Sequence, residues 1–216
     1  MRAEIIHAEA RAWLAENPAT PGSSVITSLP DVSELPALGF DGWRAWFIDA
    51  ARDVLRWLPP AGVAVFYQSD IQHRGAWIDK GYLLMRAAEA ESMPLLWHKI
   101  ACRKPPGSLA GGRASYSHLL CFAHDGDAPR RPFGPDVLAD AGPSPWTRGM
   151  GLHACRLACA YLREATTTTR VLDPFCGRGT ALAVAVEFGF DVIGVELHAS
   201  RCRAARSRIG SAASKL

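Results

Sequence analysis

The chain has 216 residues, of which 49% are hydrophobic and 21% are charged, a composition typical of a globular protein. This length is sufficient to bury the core of one domain, and the net charge of +3 permits an anionic partner without requiring one. No apolar run is long enough to span a membrane, and the N-terminus lacks a hydrophobic signal-peptide region, so we expect a cytoplasmic protein.

The first half of the chain alternates short apolar strands with helices. In the longest helix, large apolar side chains such as Trp43, Phe47 and Val54 recur at three- and four-residue spacing until Pro59 ends the run. Asp70 follows a buried strand at its carboxyl end, where ligands collect in open α/β sheets. The predicted strands of this half span residues 4–9, 24–27 and 62–68, and the predicted helices span residues 11–17, 40–58 and 76–92.

In the second half, strands over residues 94–102 and 116–123 are predicted to pair as an antiparallel hairpin at one edge of a sheet. A basic mobile loop over residues 103–115 joins them. Residues 124–147 are rich in Pro, Gly and Asp and are predicted to have little regular structure. The remaining predicted elements are a helix over 150–164, a strand that ends at Asp173, a helix over 181–188, a strand over 191–196 and a basic helix over 199–209.

These elements predict an α/β fold. Seven strands alternate with helices through most of the chain, which indicates a mostly parallel sheet with helices on both faces and an antiparallel edge strand. We expect residues 1–216 to form a single domain, because the sequence contains no internal repeat and every strand has a place in one sheet.

The six cysteines are scattered, and none forms a C-x-x-C pair. Cys155 and Cys159 would share one face of a helix, but the sequence offers no second pair of ligands for zinc. We therefore expect buried free thiols in a reducing compartment and no metal site.

The segment from Asp173 to Thr180 predicts a cofactor-binding loop between a strand and a helix. Gly177 and Gly179 allow a sharp turn and a close approach to a ligand, and the helix N-terminus that follows favours a negative group. The next strand ends in Glu196, and an acid at this place can accept hydrogen bonds from both hydroxyls of a ribose. The glycine spacing is not G-x-G-x-x-G, so NAD is not the first choice of cofactor.

The sequence Asp173-Pro-Phe-Cys-Gly-Arg-Gly-Thr180 resembles the D-P-F-x-G-x-G-T loop of S-adenosylmethionine-dependent methyltransferases, above all the permuted amino-methyltransferases of DNA or RNA bases. The resemblance implies S-adenosyl-L-methionine as the cofactor and a Rossmann-like class I methyltransferase fold. It implies a circular permutation, in which the strands of Val171, Val192, Ile5 and Val25 are the first to fourth of the fold. The alternative is a generic glycine turn between a strand and a helix.

The resemblance also implies which residues contact the cofactor. Glu9, after the first strand, is placed where an acid commonly faces the adenine amine, and residues 145–151 are placed at a cofactor-contacting turn. The predicted cofactor residues are Glu9, Thr27, Gly149, Gly151, Asp173, Pro174, Phe175, Cys176, Gly177, Gly179, Thr180, Glu196 and Leu197.

The chemical motif departs from the family pattern. The resemblance implies a D/N/S-P-P-aromatic sequence after the fourth strand, and this chain has Ser28, Leu29, Pro30 and Asp31 there. Ser28 Oγ and the Leu29 carbonyl could accept hydrogen bonds from an exocyclic amine, but Asp31 cannot stack on a flipped base. Asp31 is expected to hydrogen-bond a substrate edge or accept a proton from it, or else only to cap the following turn.

For the substrate, we expect a nucleic acid. Arg103, Lys104 and Arg113 form a basic loop at the edge of the sheet that carries Asp31, and basic loops contact phosphate. Asp70 is a second candidate base or substrate contact, and Lys99 lies in a segment similar to the family's W-x-K motif. The four arginines of the last helix, Arg201, Arg203, Arg206 and Arg208, add positive surface or form a solvated face.

The chain has no inserted domain that could recognise a DNA sequence, so a structured RNA such as tRNA is favoured over DNA. A DNA enzyme with a separate specificity partner, or a homodimer, stays open. Two further alternatives are a small-molecule methyltransferase and a cofactor-binding protein with this fold and no activity.

Overall fold

The structure is a computed structural model that describes residues 1–109, 111–124 and 133–214. Ala110 of the predicted basic loop, positions 125–132 of the predicted irregular segment and the last two residues lie outside the described residues. The strands are β1 (Ala3–His7), β2 (Ser23–Thr27), β3 (Val63–Gln68), β4 (Ile71–His73), β5 (Ala76–Ile78), β6 (Leu95–Cys102), β7 (Tyr116–Ala123), β8 (Val137–Leu138), β9 (Arg170–Asp173) and β10 (Asp191–Glu196). The α-helices are α1 (Ala10–Glu16), α2 (Gly39–Trp57), α3 (Lys80–Ala90), α4 (Leu152–Ala165), α5 (Thr180–Glu187) and α6 (Ala199–Ala213).

The described strands form one large sheet and one small hairpin. The strand order in the large sheet is β1-β10-β9-β2-β3-β7-β6-β8, and β4 pairs with β5 separately. The neighbouring strands are parallel except β7, which is antiparallel to both β3 and β6. The glycine-loop strand β9 therefore lies between β10 and β2, which brings strands from the two halves of the chain together within the sheet.

The edge of the sheet differs from the prediction. β7 is not an edge strand, because β6 lies beyond it and β8 closes the sheet, with Ile100 opposite Val137. The strand β8 falls within residues 124–147, which were predicted to have little regular structure. A strand of two residues is too short to show a periodicity, so its pairing depends on the neighbouring strand rather than on its own sequence.

The second predicted helix begins later than expected. Residues 76–78 pair with Ile71–His73 as the hairpin β4–β5, with Arg74 and Gly75 at its turn in the positive-φ region (49° and 80°). The helix α3 begins at Lys80, where the Asp79 carboxylate accepts a hydrogen bond from the Tyr82 backbone amide as an N-cap. The turn and the cap together account for the four-residue difference.

Helices cover both faces of the sheet, as predicted. On one face α4, α5 and α6 bury Tyr161, Leu182 and Phe190 against the strands. On the other face α1, α2 and α3 pack through Trp43 and Phe47. All six cysteines are buried, as expected, and burial raises the pKa of the Cys121, Cys155, Cys159, Cys176 and Cys202 thiols. Among the described residues, no helix combines the length and the apolar character that crossing a membrane would need.

Candidate active site

A cavity of about 1130 Å³ opens at the carboxyl ends of β2, β9 and β10. Its lining comes from the glycine loop after β9, the loop after β2, the end of β10, the turn before α4, and residues of α1, α2 and α6. Of the predicted site residues, the lining includes Glu9, Ser28, Leu29, Pro30, Gly149, Asp173, Pro174, Phe175, Cys176, Gly177, Thr180, Glu196 and Leu197. The fold thus brings most of the predicted cofactor and chemical residues to one space.

Asp173 is the buried acid at the start of the glycine loop. Its side chain accepts hydrogen bonds from Thr27 Oγ1 (2.7 Å) and from the Phe175 backbone amide (3.1 Å). Burial raises the pKa of Asp173 to about 7, and these two donors oppose that shift. Thr27 therefore acts through Asp173 and lies beside the cavity rather than in its lining.

Two of the predicted glycines support the loop from behind. Gly179 begins α5 in the left-handed region (φ 73°), and a Cβ at this position would lie 3.1 Å from the Cα of Ala205 in α6. Gly151 precedes α4 and packs against Ala141. Both positions require glycine for close approach between elements, so they shape the cavity without lining it.

Glu196 and Glu9 follow the neighbouring strands β10 and β1, and each uses one carboxylate oxygen locally. Glu196 is 7% exposed, and its Oε1 accepts a hydrogen bond from the His198 backbone amide (2.8 Å). Glu9 is the N-cap of α1, and its Oε2 accepts a hydrogen bond from the Ala12 backbone amide (2.8 Å). Each acid therefore keeps its second oxygen for a ligand in the cavity.

Trp146 lines the cavity from the segment 145–151, which was predicted to be a cofactor-contacting turn, although Trp146 itself was not among the predicted site residues. Its indole Nε1 donates to Thr180 Oγ1 (3.2 Å), and its ring lies against Gly177. The Arg178 and Arg201 guanidinium groups lie over the ring, with centroid distances of 5.4 and 6.0 Å. The indole thus covers the glycine loop, and the Pro-Trp pair in the turn before α4 is the sequence signal that could have indicated it.

Glu34 was also missed, because it lies in a loop with no recognisable pattern. Its Oε1 is 3.2 Å from a guanidinium nitrogen of Arg148 and 3.2 Å from one of Arg201. These ion pairs join the segment after β2 to the turn before α4 and to α6. They close one wall of the cavity with elements that are far apart in the sequence.

Three buried side chains hold the loop that carries the chemical motif. Trp43 Nε1 donates to the Pro30 carbonyl (3.1 Å), and Gln68 Nε2 donates to the Leu29 carbonyl (3.5 Å). The Lys80 ammonium donates to Asp31 Oδ2 (3.3 Å). The loop therefore presents Ser28, Leu29 and Pro30 to the cavity and directs the Asp31 carboxylate towards α3.

Asp31 also stands where a turn cap would stand. It immediately precedes a short 3-10 helix (Val32–Glu34) and forms a capping box with Glu34: the Asp31 side chain accepts the Glu34 backbone amide, and the Asp31 backbone amide donates to Glu34 Oε2 (3.3 Å). Its own Oδ2, however, is paired with Lys80, and its side chain is 34% exposed. The capping alternative thus accounts for the position of Asp31 in the chain, whereas its carboxylate has a second partner.

Asp70 is a buried acid whose carboxylate is already surrounded by donors. Lys80 N (2.9 Å), Trp77 Nε1 (3.2 Å), Tyr116 OH (3.1 Å) and His118 Nε2 (3.0 Å) all approach its two oxygens. Burial would raise the pKa of Asp70, but the hydrogen bonds from His118 and Lys80 lower it below its usual value. Asp70 therefore joins the hairpin, α3 and β7 rather than facing a substrate.

The predicted basic contacts have three different surroundings. Lys99 is buried, with its ammonium 3.3 Å from Asp136 and 5.7 Å from the Trp97 ring centroid, which is the environment of a structural ion pair. Lys104 and Arg113 are exposed, and the exposed Arg103 donates to Ser69 Oγ (3.3 Å) at the end of β3. The loop over residues 103–115 thus stands at the same end of the sheet as the chemical motif.

The basic helix α6 is mostly occupied inside the protein. Arg206 donates to the Ile5 carbonyl (2.6 Å), Arg208 donates to the Arg178 carbonyl (3.0 Å), and Arg201 pairs with Glu34. These three arginines connect α6 to β1, the glycine loop and the wall of the cavity. Their contacts account for the charge of this helix without a nucleic acid.

The fold of the chain is shared with solved methyltransferases. TTHA0409 of Thermus thermophilus, solved as a candidate DNA modification methylase, has a TM-score of 0.77 at 20% identity, with 99% of this chain and 97% of that one covered. TTHA0409 has also been solved with S-adenosyl-L-methionine. The cytosine-N4-specific PvuII DNA methyltransferase has a TM-score of 0.73 at 15% identity, with 100% and 92% covered. At these identities the likeness establishes the fold. No protein-family model and no curated protein matches the sequence.

Proposed function

We propose that the chain is an S-adenosyl-L-methionine-dependent methyltransferase that acts on a nucleic acid. The observation that carries this proposal is the shared cavity, in which Asp173 and Glu196 stand beside the Ser28–Pro30 segment. A methyl donor bound at the two acids would meet an acceptor bound at Ser28 and Leu29. The likeness in fold to TTHA0409, which has been solved with this cofactor, supports the same assignment.

The donor set of the cavity fits the cofactor. A carboxylate at Asp173 favours the positive charge that S-adenosyl-L-methionine carries, and the free oxygen of Glu196 suits a ribose hydroxyl. The bound cofactor supplies an activated methyl group. The protein then needs mainly to bind the cofactor, align it with the acceptor and exclude water from the site. Trp146 covers the glycine loop and so helps to exclude water there.

The loop after β2 supplies the acceptor side. Ser28 Oγ and the Leu29 carbonyl can each accept a hydrogen bond from an amine, which would orient the nitrogen lone pair towards the methyl group. Gln68 Nε2 donates to the same carbonyl and holds it in place. This arrangement would catalyse the reaction by aligning the nucleophile, the methyl group and the leaving group. Hydrogen bonds from Trp43, Gln68 and Lys80 attach the loop to α2, β3 and α3.

Nucleic acid is the substrate class that the surface favours. The tip of the hairpin β4–β5 carries Arg74, and the loop beside it carries exposed Arg103, Lys104 and Arg113. Trp77 of the hairpin is 40% exposed, and exposed aromatic rings next to cations bind bases and phosphates together. The solved neighbours are named for DNA, which favours DNA as the substrate and gives no support to the expected preference for RNA.

The strand order supports a circular permutation. β9, which carries the glycine loop, is the ninth of the described strands, yet its sheet neighbours are β10 and β2, the second strand. The strand β1 lies beyond β10. This neighbourhood is the one expected if the strands of Val171, Val192, Ile5 and Val25 are the first to fourth of the fold.

A small-molecule methyltransferase is the second candidate, because the cavity is larger than a cofactor requires. Its volume of about 1130 Å³ exceeds the range of roughly 300–1,000 Å³ that is common for ligand pockets. The additional space is lined by Leu14, Trp46 and Trp57 of α1 and α2. An apolar acceptor could occupy that space beside the cofactor.

Two measurements test the proposal. Isothermal titration with S-adenosylhomocysteine is expected to show one site, and Asp173→Ala should weaken it at least about tenfold, or roughly 1.4 kcal/mol. Asp191→Ala, at the opposite end of the neighbouring strand β10, is the matched control and should bind as wild type does. Absence of binding to the wild-type protein would refute the cofactor assignment.

Tritium transfer from labelled S-adenosyl-L-methionine to genomic DNA, tRNA, rRNA and a metabolite extract then identifies the acceptor. Label in nucleic acid is the expected result, and its distribution separates DNA from RNA. Label only in metabolites would favour the second candidate, and binding without any transfer would favour a protein with this fold and no activity.

A further inference from the structure

Lys80 is a buried lysine at the first position of α3, directly beside the chemical motif. Its residue is 3% exposed, and its ammonium lies 3.3 Å from Asp31 Oδ2 and 5.8 Å from the centroid of the Trp43 ring. Lysine is almost never fully buried unless it is paired. Here its partner is Asp31, which stands where the family pattern has an aromatic residue.

The acids near Lys80 are not equivalent. Asp31, Asp70 and Glu34 all act electrostatically on the ammonium, and burial lowers the pKa of Lys80 while these three acids oppose that shift. Asp70 is saturated with hydrogen bonds from the hairpin, β7 and the Lys80 backbone, and Glu34 is paired with two arginines. Only Asp31 accepts a hydrogen bond from the ammonium within 3.3 Å.

The pair has a closed side and an open side. Lys80 has a side-chain exposure of 4%, whereas Asp31 has a side-chain exposure of 34%. Asp31 Oδ2 is directed at the ammonium, and the side chain also accepts the Glu34 backbone amide in a capping box. Each carboxylate oxygen has two lone pairs, so the open oxygen for a further hydrogen bond from outside is one that keeps a lone pair on the exposed side. A buried cation behind a partly exposed carboxylate is an arrangement that orients an anion towards a ligand.

We propose that Lys80 is a positioning residue for the methyl acceptor, because it holds the Asp31 carboxylate so that the open oxygen accepts a hydrogen bond from a nucleobase. The inference rests on the proposed function and deepens it. The acceptor is then recognised through an N–H donor next to the reacting nitrogen, in place of stacking on an aromatic ring. An ionised carboxylate accepts only, so a base that presents a lone pair at this oxygen is disfavoured.

The chain contains a matched control for a change at Lys80. Lys99 is also 3% exposed, its ammonium also lies 3.3 Å from an aspartate (Asp136), and it also lies near a Trp ring (5.7 Å). Asp136 lies beside β8 at the edge of the sheet. Lys80→Met and Lys99→Met therefore each remove a buried ammonium that pairs with an aspartate. Only Lys80 adjoins the loop that carries Ser28 to Asp31.

The test measures methyl transfer to whichever nucleic acid accepts label, together with S-adenosylhomocysteine affinity and the thermal unfolding midpoint. For Lys80→Met we expect kcat/KM for the acceptor to fall at least about tenfold, mainly through KM, with cofactor affinity unchanged. Asp31→Asn should give a similar fall, and the double variant should be no worse than the poorer single variant, because one unit is being removed. Lys99→Met should lose stability only.

Equal kcat/KM for Lys80→Met and Lys99→Met, or additive losses in the double variant, would overturn the proposal while the proposed function stood. If Lys80→Met does not fold, Asp31→Asn decides alone, since its side chain is partly exposed and the substitution conserves shape. Full activity of Asp31→Asn would then overturn the role of the pair. Wild-type protein that binds cofactor but labels no nucleic acid refutes the proposed function, and this inference with it.

Discussion

At the scale of single residues, the site is built from acids whose surroundings differ. Asp173 is buried with two donors, Asp70 is buried with four, and Asp31 is partly exposed with a lysine behind it. The sequence identified all three as candidates. Their surroundings differ accordingly: Asp70 supports the architecture, whereas Asp173 is proposed to face a cationic cofactor and Asp31 to face a substrate.

The pKa of about 7 at Asp173 predicts a pH dependence of cofactor binding. Burial favours the protonated acid in the free protein, whereas a cationic cofactor favours the carboxylate, so binding releases a proton near and below pH 7. Affinity for S-adenosyl-L-methionine should therefore rise roughly tenfold from pH 6 to pH 8 and level off above that. Calorimetry in buffers of different ionisation enthalpy would measure the released proton.

Asp173→Asn is the control for this pH dependence, because an amide does not titrate in this range. Its affinity should be lower and nearly constant between pH 6 and pH 8. A wild-type affinity that does not change across that range would contradict the link between Asp173 and the cofactor.

Gly179 provides a prediction about the geometry of the loop. Gly179→Ala should destabilise the fold by about 1–2 kcal/mol for the left-handed backbone, with an additional cost from the contact with Ala205. Gly189→Ala is the matched control, because Gly189 has a similar φ (82°) and no neighbour within 4 Å of the added Cβ. The difference between their unfolding free energies, measured in urea, isolates the crowding. Equal losses would show that close packing of α6 is not what requires glycine at position 179.

At the scale of elements, the candidate site lies at the carboxyl ends of the strands, and we propose that the hairpin extends it towards the substrate. The hairpin β4–β5 is attached to the buried Asp70 through Trp77, and its Phe40–His73 stack (centroids 3.9 Å apart) fixes it on α2. The basic loop stands beside it, connected through Arg103 and Ser69. Neither the hairpin nor its attachment was predicted, because strands of three residues resemble the start of the following helix.

The basic loop predicts a salt-dependent effect on binding. Arg103→Ala combined with Arg113→Ala should weaken binding to duplex DNA and reduce the slope of log K against log salt by about 1 for each phosphate that the variant no longer binds. Arg163→Ala, which removes an exposed arginine at the far end of α4, should change neither quantity. Fluorescence anisotropy with a labelled duplex over a range of salt measures both. An unchanged slope in the double variant would place the phosphate-binding residues elsewhere.

At the scale of the whole molecule, the cofactor is expected to stabilise the fold, because the cavity joins residues of α1, α2 and α5 to the loops that follow β2, β9 and β10. A ligand at 100 times its dissociation constant stabilises the folded state by about 2.7 kcal/mol. For a chain of this size, that corresponds to a rise in Tm of roughly 5–10 °C. Differential scanning fluorimetry with S-adenosylhomocysteine measures the shift, and Asp173→Ala should abolish most of it.

Local pattern accounts for what the sequence determined by itself. The apolar periods of α2, β3 and β7 and the order of residues 173–180 are properties of short segments, so the α/β class, the position of the glycine loop and the acids beside it were all predictable. The cofactor residues near this loop follow from the same segment. The observed bounds of the helices and strands differ from the predicted ones by only a few residues, because caps and turns decide where an element ends.

Tertiary structure alone decided the contacts between distant segments. Lys80 reaches Asp31 across 49 positions, and Glu34 pairs with Arg148 and Arg201, which lie far along the chain. The two residues of β8 became a strand only because β6 offered an unpaired edge. Such pairings depend on the burial and the geometry that the packed sheet creates, and no local pattern records them. The glycine loop thus indicates the methyl donor, whereas the surroundings of Asp31, on which we propose that the choice of acceptor depends, exist only in the folded chain.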